Sequence, residues 1–441
     1  MGKLVYMLVM HTYGWAIGLF AVMGHRKAQG WKRMRRGSVS RLAEATENLP
    51  GGQRWMWFHC ASVGEFEQAR PVMEAWRNRH PQDAFLLTFY SFSGWDAFAK
   101  RSMPGWRETD HVSALPLDTP GQVRPFLDAA QGASGASAIR GALLAKYDVW
   151  PVWVEALNER SVPVGLFAAH VIPGRWPFRM GGQFHRRAWS VLSLILVQTE
   201  SSVAALSDHG LAAEATGDPR FDRVLQSVEA HEADAALERW VNNRPCLVAG
   251  SAWAPECEAV RDAWLPGRCA VVVPHEWTES WVASESKKWK EAGARPVVWS
   301  VERGDDARTE LSEADVLIVD TVGELLGLYA VADVALVGGG FGAGVHNTLE
   351  PAAYGAFILV GPQVGRFREV KELQRAGGLE VCADRKELVN RLHAVWNTNL
   401  EVAESGARAQ AYARSNQGAG ERIARAWEKP LEGEGSSPDL G

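Results

Sequence analysis

Glu65 is a carboxylate that follows a predicted strand, at a position where a parallel α/β sheet can present a side chain to a ligand. Trp55–His59 predicts a buried strand, and Ser62-Val63-Gly64-Glu65-Phe66 follows it and opens a helix. We expect Gly64 to permit a tight turn, which leaves Glu65 at the helix N-terminus. A carboxylate there can act as a general base toward an acceptor hydroxyl, or it can serve only to favour the helix dipole. These residues alone leave both interpretations open.

A glycine-rich cluster lies in the second half of the chain, after another apolar run. Gly338–Gly344 has Ala at position 343, so it does not match G-x-G-x-x-G, and the chain contains no G-x-x-x-x-G-K-[ST]. NAD-dependent oxidoreduction and P-loop hydrolysis therefore lose their sequence support. The glycines still allow backbone N–H groups to approach a phosphate. In the following segment, Asn347 can cap a helix and Glu350 can accept from ribose hydroxyls, although a capping box with a tight turn explains the same residues.

Two further polar turns follow predicted strands of the same half. Pro274-His275-Glu276 ends one strand, and Val322-Gly323-Glu324 follows another and opens a helix. The carboxyl ends of parallel strands meet at one edge of a sheet, where ligands bind in open α/β folds. The three turns together predict a nucleotide site.

Turns of this kind connect the strands and helices of a parallel sheet. The hydrophobic pattern indicates two series of short apolar runs separated by helical segments. The pattern predicts an α/β fold with two Rossmann-like domains, near 50–220 and 240–400, facing a cleft. The predicted domain limits are 37–225 and 226–430, and the Gly/Ser-rich residues 431–441 predict a disordered tail. The predicted strands are Trp55–His59, 84–91, 142–150, 162–170, 191–199, 244–253, 269–277, 295–300, 315–321, 333–340 and 357–362.

The N-terminus differs from the rest of the chain. Residues 4–24 carry no formal charge, and six cations follow at once: Arg26, Lys27, Lys32, Arg33, Arg35 and Arg36. About 20 apolar residues can cross a bilayer as a helix, so residues 1–36 predict a membrane anchor with a basic flank. A cleaved signal peptide and a packed helix of a soluble domain are the alternatives. The positive-inside rule then predicts that the bulk of the chain lies in the cytoplasm.

Composition excludes several classes of protein. Apolar residues make up 46% of the 441 residues and the formal net charge is −5, which excludes a disordered chain and a globally basic nucleic-acid binder. The five cysteines show no C-x-x-C spacing, which favours reduced thiols over disulfides or structural zinc. No D-x-D motif stands at a predicted strand end. We therefore expect no nucleic-acid partner, no metal and no cofactor.

Several segments resemble the 3-deoxy-D-manno-octulosonic acid (Kdo) transferase family, in the same order along nearly the whole chain. They are FHCASVGEFEQARPVMEAW, LTFYSFSG, GDPRFDRV, VAGSAW, VPHE, DTVGELLGLYAVADVALVGGGF and GVHNTLEPAAYG. The resemblance implies a two-domain GT-B glycosyltransferase, anchored to the cytoplasmic face of the inner membrane. It would transfer Kdo from CMP-Kdo to a lipid A precursor, lipid IVA, with inversion at the anomeric carbon.

Carried over by position, the resemblance implies that Glu65 is the catalytic base and that Ser251 lies near the donor phosphate. The residues that would hold CMP are Pro274, His275, Val322, Gly323, Glu324, Asn347, Thr348, Leu349 and Glu350. The candidates for the acceptor or for the carboxylate of the sugar are Ser62, Gly64, Arg175 and Arg179, with Arg186 and Arg187 in the same basic segment. That segment also fits a solvated or lipid-facing surface.

The chain departs from the family pattern at three places. Pro274-His275-Glu276 stands where many members have Pro-Arg-His, so a fixed cation is lost. Ala252 replaces a common Thr, and Lys146–Trp150 replaces the usual T-E-L-W. The alternative functions are another membrane-associated GT-B enzyme that uses a UDP-sugar, and a non-catalytic module that binds a nucleotide sugar.

Overall fold

The computed structural model describes residues 2–100, 103–132, 138–172, 178, 182–302, 311–365, 367–396 and 399–432. The chain divides into two compact units, one of Met1–Arg223 with Gly418–Gly441 and the other of Val224–Gln417. Each described sheet has seven parallel strands with helices in the connections. The predicted α/β class with two Rossmann-like domains is confirmed.

The first unit alternates strands and helices after three N-terminal helices. Its elements are α1 (Gly2–Val22), α2 (Arg26–Arg35), α3 (Ser38–Glu47), β1 (Trp55–Cys60), α4 (Val63–Arg79), β2 (Ala84–Phe89), α5 (Phe92–Lys100), β3 (His111–Ala114), α6 (Pro120–Gln131), β4 (Ile139–Ala145), α7 (Pro151–Asn158), β5 (Val164–Ala169), α8 (Gln183–Ser190), β6 (Leu194–Val197), α9 (Glu200–Ser207) and β7 (Glu214–Ala215). The sheet order is β3-β2-β1-β4-β5-β6-β7.

The second unit repeats this organisation. Its elements, with the helices that join it to the first unit, are α10 (Pro219–Glu229), α11 (Ala235–Val241), β8 (Cys246–Ala252), α12 (Ala254–Ala263), β9 (Cys269–Pro274), α13 (Glu279–Glu291), β10 (Pro296–Val298), α14 (Trp299–Glu302), β11 (Val316–Ile318), α15 (Leu325–Leu328), a 3₁₀ turn (Tyr329–Val331), β12 (Val334–Val337), α16 (Leu349–Tyr354), β13 (Phe357–Val360), α17 (Arg368–Ala376), β14 (Leu379–Val381), α18 (Arg385–Val395), α19 (Asn399–Ser415) and α20 (Ala419–Glu432). The sheet order is β10-β11-β9-β8-β12-β13-β14.

Burial on both faces explains why the central strands are continuous apolar runs. All six residues of β1 and all six of β2 are buried, as expected where helices cover both faces of a parallel sheet. Tryptophan supplies much of this filling, which accounts for part of its high frequency in the chain. The fully buried tryptophans are Trp55, Trp57, Trp76, Trp289, Trp396 and Trp427.

The last helix corrects the predicted limits of the second domain. Residues 226–430 were assigned to that domain, but the chain returns to the first unit at Gly418. The apolar face of α20 packs with α4 on the first sheet, and Trp427 is fully buried there. Gly165 leaves room for the Trp427 ring, because a Cβ at position 165 would lie 2.5 Å from it. The predicted tail begins inside α20, and residues 433–441 lie outside the described residues.

Helix α1 lies along the first unit with one face covered and the other exposed. Tyr6 donates a hydrogen bond to the Asp118 carboxylate, and Met10 is buried. The uncovered face is apolar, with Leu8 69% exposed and Trp15 85% exposed. Among the helices that the structure describes, α1 alone is long and apolar enough to cross a membrane. These features are compatible with membrane association.

Candidate functional site

The first unit presents two loops at the switch point of its sheet, where the strand order reverses. β2 lies on one side of β1 and β4 lies on the other, so the loops after β1 and β4 diverge from adjacent strand ends. The loop after β1 leads to Glu65, and the loop after β4 is Lys146–Trp150. Ligands of open α/β sheets bind at such a point. The fold therefore brings the predicted carboxylate to a position suited to ligand binding.

Glu65 lies in the first turn of α4, and its carboxylate accepts a hydrogen bond from the backbone N–H of Ala61. Burial raises the pKa of Glu65, and the negative charge of Asp148 raises this pKa further. Three groups oppose the rise, namely the Ala61 N–H, His59 and Lys146. A half-buried carboxylate with a raised pKa has a proton affinity suited to a general base.

Ser62 and Gly64 occupy the start of the same helix. Ser62 is the N-cap residue, and its carbonyl oxygen accepts from the Phe66 N–H at 3.0 Å. Gly64 lies inside the helix, where an added Cβ would meet open space. The predicted tight turn at Gly64 is therefore wrong, because the chain bends before the helix begins at Val63.

Trp57, Thr88, His59 and Asp148 form a network of hydrogen bonds in the unit that carries Glu65. The sequence pattern did not identify this network as functional. His59 Nδ1 lies 2.8 Å from Thr88 Oγ1, and His59 Nε2 lies 3.2 Å from Asp148 Oδ2. Trp57 donates to the same Thr88 oxygen at 2.8 Å. The sequence contained two signals for this network. One is His59 inside a buried apolar strand, and the other is Asp148 just after β4.

The loop after β4 begins earlier than predicted. The run 142–150 was expected to be one strand, but β4 ends at Ala145 because Lys146 adopts a left-handed backbone with φ 58°. Such a conformation is uncommon for a residue with a Cβ and ends the extended run. Beyond it, Trp150 stacks on Tyr90 with ring centroids 5.1 Å apart.

The arginine candidates lie in a different segment. Arg175 and Arg179 fall outside the described residues. Arg186 and Arg187 lie on α8, where Arg187 lines a small surface pocket with Lys3 and Glu155. Their role stays a prediction.

At the switch point of the second unit, glycine residues allow backbone segments to pack closely together. β9 lies on one side of β8 and β12 lies on the other. A Cβ at Gly338 would lie 2.1 Å from the carbonyl oxygen of Ser251, and a Cβ at Gly340 would lie 2.4 Å from the N of Gly361. Ser251 itself has a left-handed backbone, with φ 51°. The glycine-rich turn thus permits a backbone approach that side chains would prevent.

A buried carboxylate holds this turn, although the sequence interpretation did not include it. Glu256 accepts from the Gly339 N–H at 3.0 Å and from the Trp253 N–H at 3.1 Å, and its side chain is fully buried. It therefore joins the loop after β8 to the loop after β12. Its position three residues after the N-cap Trp253, at the start of a helix, is a capping signal that the sequence carried.

Three aromatic rings stack beside the glycine-rich turn. The Trp253 ring lies 4.6 Å from the His275 ring, and the His275 ring lies 4.6 Å from the His346 ring, with interplanar angles of 21° and 25°. The backbone N–H of His275 donates to the carbonyl of Ala252, the last residue of β8, at 2.9 Å. Burial lowers the pKa of His346, and His275 lowers it further. The structure thus adds Trp253 and His346 to the predicted His275.

The side chains of Asn347 and Glu350 are joined by a hydrogen bond across one helical turn. Asn347 Nδ2 donates to Glu350 Oε1 at 2.8 Å, and the Leu349 N–H donates to Asn347 Oδ1 at 3.0 Å. The N-cap position is Thr348 rather than Asn347, because the helix begins one residue later than expected. Burial raises the pKa of Glu350, and the Asn347 hydrogen bond partly offsets this rise.

Unpartnered hydroxyls lie near Glu350. Among the described residues, the Tyr329 hydroxyl and Thr348 Oγ1 are buried without a hydrogen-bond partner. The Tyr329 hydroxyl occupies the space where a Cβ at Gly250 would lie, 2.1 Å away. Buried hydroxyls with unused capacity are suited to polar groups of a ligand.

The other predicted turn stands further along the sheet. Val322-Gly323-Glu324 follows β11, which is separated from β8 by β9. Val322 is 91% exposed, and Gly323 has φ 94°. Pro274, the last residue of β9, is buried. Within the described ranges, no group of three or more His, Cys, Asp or Glu side chains is arranged to hold a metal ion.

Comparison with known sequences connects these sites to one family. Residues 29–223 match the family model for 3-deoxy-D-manno-octulosonic-acid transferase (kdotransferase). The chain is 29% identical over 406 residues to the 3-deoxy-D-manno-octulosonic acid transferase of Bordetella pertussis, with 87% of this chain and 88% of that protein aligned. It is 24% identical to the transferase of the same name from Haemophilus influenzae, over 83% of this chain and 85% of that protein.

Solved structures agree on the fold. The UDP-GlcNAc 2-epimerase of Neisseria meningitidis covers 86% of this chain with a TM-score of 0.57 at 11% identity. UGT71G1 of Medicago truncatula, a structure solved with UDP-glucose, gives a TM-score of 0.53 at 12% identity. These similarities support the GT-B fold class. The sequence relatives span both units, and they show that the chain is similar to 3-deoxy-D-manno-octulosonic acid transferases over most of its length.

Proposed function

We propose that this protein transfers Kdo from CMP-Kdo to a hydroxyl of a lipid A precursor, lipid IVA, in lipopolysaccharide core biosynthesis. The observation that carries the proposal is Glu65, a half-buried carboxylate with a raised pKa at the switch point of the first sheet. The similarity to 3-deoxy-D-manno-octulosonic acid transferases supports Kdo as the transferred sugar.

The reaction would proceed with inversion. The acceptor oxygen attacks C2 of Kdo, the bond from C2 to the phosphate oxygen breaks, and Glu65 takes the hydroxyl proton. CMP leaves with the bonding electron pair. The raised pKa of Glu65 makes its carboxylate a stronger base than an exposed glutamate, which favours the proton transfer. This scheme uses no metal and no cofactor.

The second unit would hold the donor. Ser251 and the glycine-rich turn would bring the backbone close to the phosphate, and Glu350 would accept from ribose hydroxyls. The stacked His275 supplies a polar ring where many family members have arginine. The remaining proposed contacts to CMP are Pro274, Val322, Gly323, Glu324, Asn347, Thr348 and Leu349. Arg175 and Arg179 are proposed partners for the carboxylate of the sugar or the phosphates of the acceptor.

We also propose that α1 lies in the membrane interface instead of spanning the bilayer. Its contacts with the first unit extend from Lys3, which pairs with Glu155 at 2.7 Å, past Gly14, which packs at Leu117. A spanning helix would lose these contacts, whereas an interfacial helix keeps them and buries only its exposed apolar face. Five exposed cations follow and would meet anionic headgroups on the cytoplasmic face of the inner membrane: Arg26, Lys27, Lys32, Arg33 and Arg36. The Arg35 guanidinium instead packs on the Trp31 ring and donates to the Tyr90 carbonyl.

The direct test of the proposed function is transfer. Purified full-length protein is incubated with CMP-Kdo and tetraacylated lipid A precursor, and the products are read by mass spectrometry. A mass increase of one or more Kdo residues is the expected result. Thermal shift separates the donor classes, because CMP at about 100 times its Kd should stabilise the protein by about 2.7 kcal/mol whereas UDP should not. Stabilisation by UDP alone would favour a UDP-sugar enzyme, and donor binding without product would favour a non-catalytic module.

The membrane proposal is tested with vesicles. Full-length protein should co-sediment with vesicles that contain anionic lipid and should be released by alkaline carbonate. The double variant Leu8→Asp/Leu19→Asp should lose most of this binding, since both side chains are exposed on α1. Leu400→Asp is the matched control, because Leu400 is 83% exposed but lies on the second unit. Resistance to carbonate extraction would indicate a spanning helix.

A further inference from the structure

His59 is a polar residue near the carboxyl end of an otherwise apolar strand, and both of its ring nitrogens have hydrogen-bond partners. Its side chain is 1% exposed, whereas that of Asp148 is 18% exposed. Nδ1 faces Thr88 Oγ1 at 2.8 Å, and Nε2 faces Asp148 Oδ2 at 3.2 Å. A buried histidine with two defined partners has one favoured ring orientation and is costly to leave unpaired.

The partners also determine which nitrogen carries the proton. Trp57 Nε1 can only donate, so Thr88 Oγ1 accepts from it at 2.8 Å and keeps its own hydrogen to donate. The Thr88 hydroxyl can donate to an unprotonated Nδ1 or accept from a protonated Nδ1, because its oxygen has two lone pairs. In both cases Nε2 carries a hydrogen, which it donates to Asp148 Oδ2. Trp57, Thr88, His59 and Asp148 thus form a hydrogen-bonded series that ends at a carboxylate.

Asp148 ends this hydrogen-bonded series on the loop after β4, and Glu65 follows the loop after the adjacent strand β1. The charged and titratable groups around Glu65 come from two elements, His59 and Cys60 on β1, and Lys146 and Asp148 on the loop after β4. Of these, Asp148 alone raises the pKa of Glu65, while His59 and Lys146 lower it. Burial is the larger cause of the rise, and Asp148 is the second.

We propose that Asp148, oriented by the His59 Nε2–H, is a positioning residue that keeps Glu65 ready to take the proton of the acceptor hydroxyl. This inference rests on the proposed role of Glu65. The hydrogen bond from His59 fixes one carboxylate oxygen of Asp148 and so keeps its charge at the switch point. The charge increases the proton affinity of Glu65. Asp148 itself need not touch the substrate.

The test is the pH dependence of kcat/KM for transfer, measured for the full-length protein with CMP-Kdo and lipid A precursor. In the wild type, activity falls at low pH as Glu65 becomes protonated. Asp148→Asn keeps the shape of the side chain and an acceptor for His59 but removes the charge. We expect its acidic limb to move about one pH unit lower, because Glu65 then ionises more readily. Its plateau should fall about tenfold, because a weaker base accepts the proton less readily.

Two substitutions of His59 serve as matched controls. His59→Gln can donate from a position close to Nε2 and should keep the wild-type limb. His59→Asn reaches only as far as Nδ1, so it should lose Asp148 and shift the limb in the direction of Asp148→Asn. Asp148→Glu should restore the wild-type limb. Circular dichroism and the thermal midpoint of each variant identify any that fail to fold, and Asp148→Asn with its retained hydrogen bond still tests the inference.

The outcomes separate this inference from the function on which it rests. If the wild type transfers Kdo and Glu65→Gln does not, but Asp148→Asn lowers the plateau with an unmoved limb, Asp148 is merely structural and the inference is wrong. If Glu65→Gln transfers at the wild-type rate, the assignment of the base fails. If the wild type forms no product, the proposed function fails.

Discussion

The two units present opposite chemistry at the same place in the same architecture. Each described sheet has seven parallel strands, and each has its switch point beside its first strand, β1 or β8. In the first unit that point carries side chains, with Glu65, His59 and Asp148 in electrostatic contact. In the second unit the switch point is formed by backbone, because a glycine-rich turn packs on the Ser251 carbonyl.

The difference indicates how one fold can serve two tasks. In the proposed function, a proton acceptor needs a side chain whose proton affinity is adjusted by burial and charge, and the first unit has a carboxylate there. The proposed phosphate site needs backbone at close range, and the turn of the second unit has glycines in place of side chains. The buried carboxylate of Glu256 accepts from backbone N–H groups and stabilises the turn itself.

The largest effect should come from removing the proton acceptor of the first unit. Glu65→Ala should lower kcat about 10²–10⁴-fold, the usual contribution of a general base, and should leave donor affinity unchanged. Transfer is measured by product mass, and donor affinity by calorimetry with CMP. Glu74→Ala, nine residues further along α4, is the control and should retain activity. A Glu65→Ala protein with near wild-type kcat would contradict the division of tasks.

The second prediction concerns the backbone of the other switch point. Gly338→Ala should destabilise the protein by about 3 kcal/mol, because the new Cβ would overlap the carbonyl oxygen of Ser251. It should also lower CMP affinity more than tenfold. Gly342→Ala is a matched control in the same turn, since its Cβ would meet nothing within 4 Å. Equal stability and affinity for the two variants would mean that the close approach has no importance.

Glu256 distinguishes a structural carboxylate from a catalytic one. Glu256→Ala leaves the Gly339 and Trp253 N–H groups unpaired, so we expect a loss of about 2 kcal/mol in the free energy of unfolding. Urea unfolding measures it. Glu258→Ala, an exposed neighbour on α12, should change stability by less than about 0.5 kcal/mol. A Glu256→Ala protein that keeps its stability but loses turnover would assign the carboxylate to catalysis instead.

The smallest effect should come from the aromatic stack. Trp253→Ala removes one side of the His275 ring contact, which is worth about 1 kcal/mol, and should weaken CMP binding about fivefold. Trp253→Phe should restore most of the affinity. Trp277→Ala, an exposed tryptophan two residues after His275, is the control and should bind CMP as the wild type does. An unchanged affinity in Trp253→Ala would remove the stack from the donor site.

Residue patterns predicted the strands of both sheets better than the contacts of the site. Buried apolar runs are local signals, so β1, β8 and β12 lie where they were expected. The short strands β3 and β7 were missed, since His111–Ala114 and Glu214–Ala215 lack a continuous apolar run. Periodicity also cannot show which sheet a helix covers, and for this reason α20 was assigned to the wrong unit.

In the candidate site too, contacts between residues close together in sequence were predicted, whereas contacts between residues far apart in sequence were not. Glu65 and the Asn347 to Glu350 bond follow from residues close together in sequence. The contact of His59 with Asp148 joins residues 89 positions apart, and the Glu256 contact with Gly339 joins residues 83 apart. Such pairs depend on strand order, which a single sequence does not specify.

The return of α20 to the first unit has a consequence for synthesis on the ribosome. Val224–Gln417 is one continuous stretch, so the second unit can fold as soon as that stretch has emerged. The first unit must wait for Trp427 to close its core over Gly165, although its N-terminal helix leaves the ribosome first. We therefore expect the nascent chain to reach the membrane before the first unit has folded. The first unit then completes its fold only after the second unit has folded.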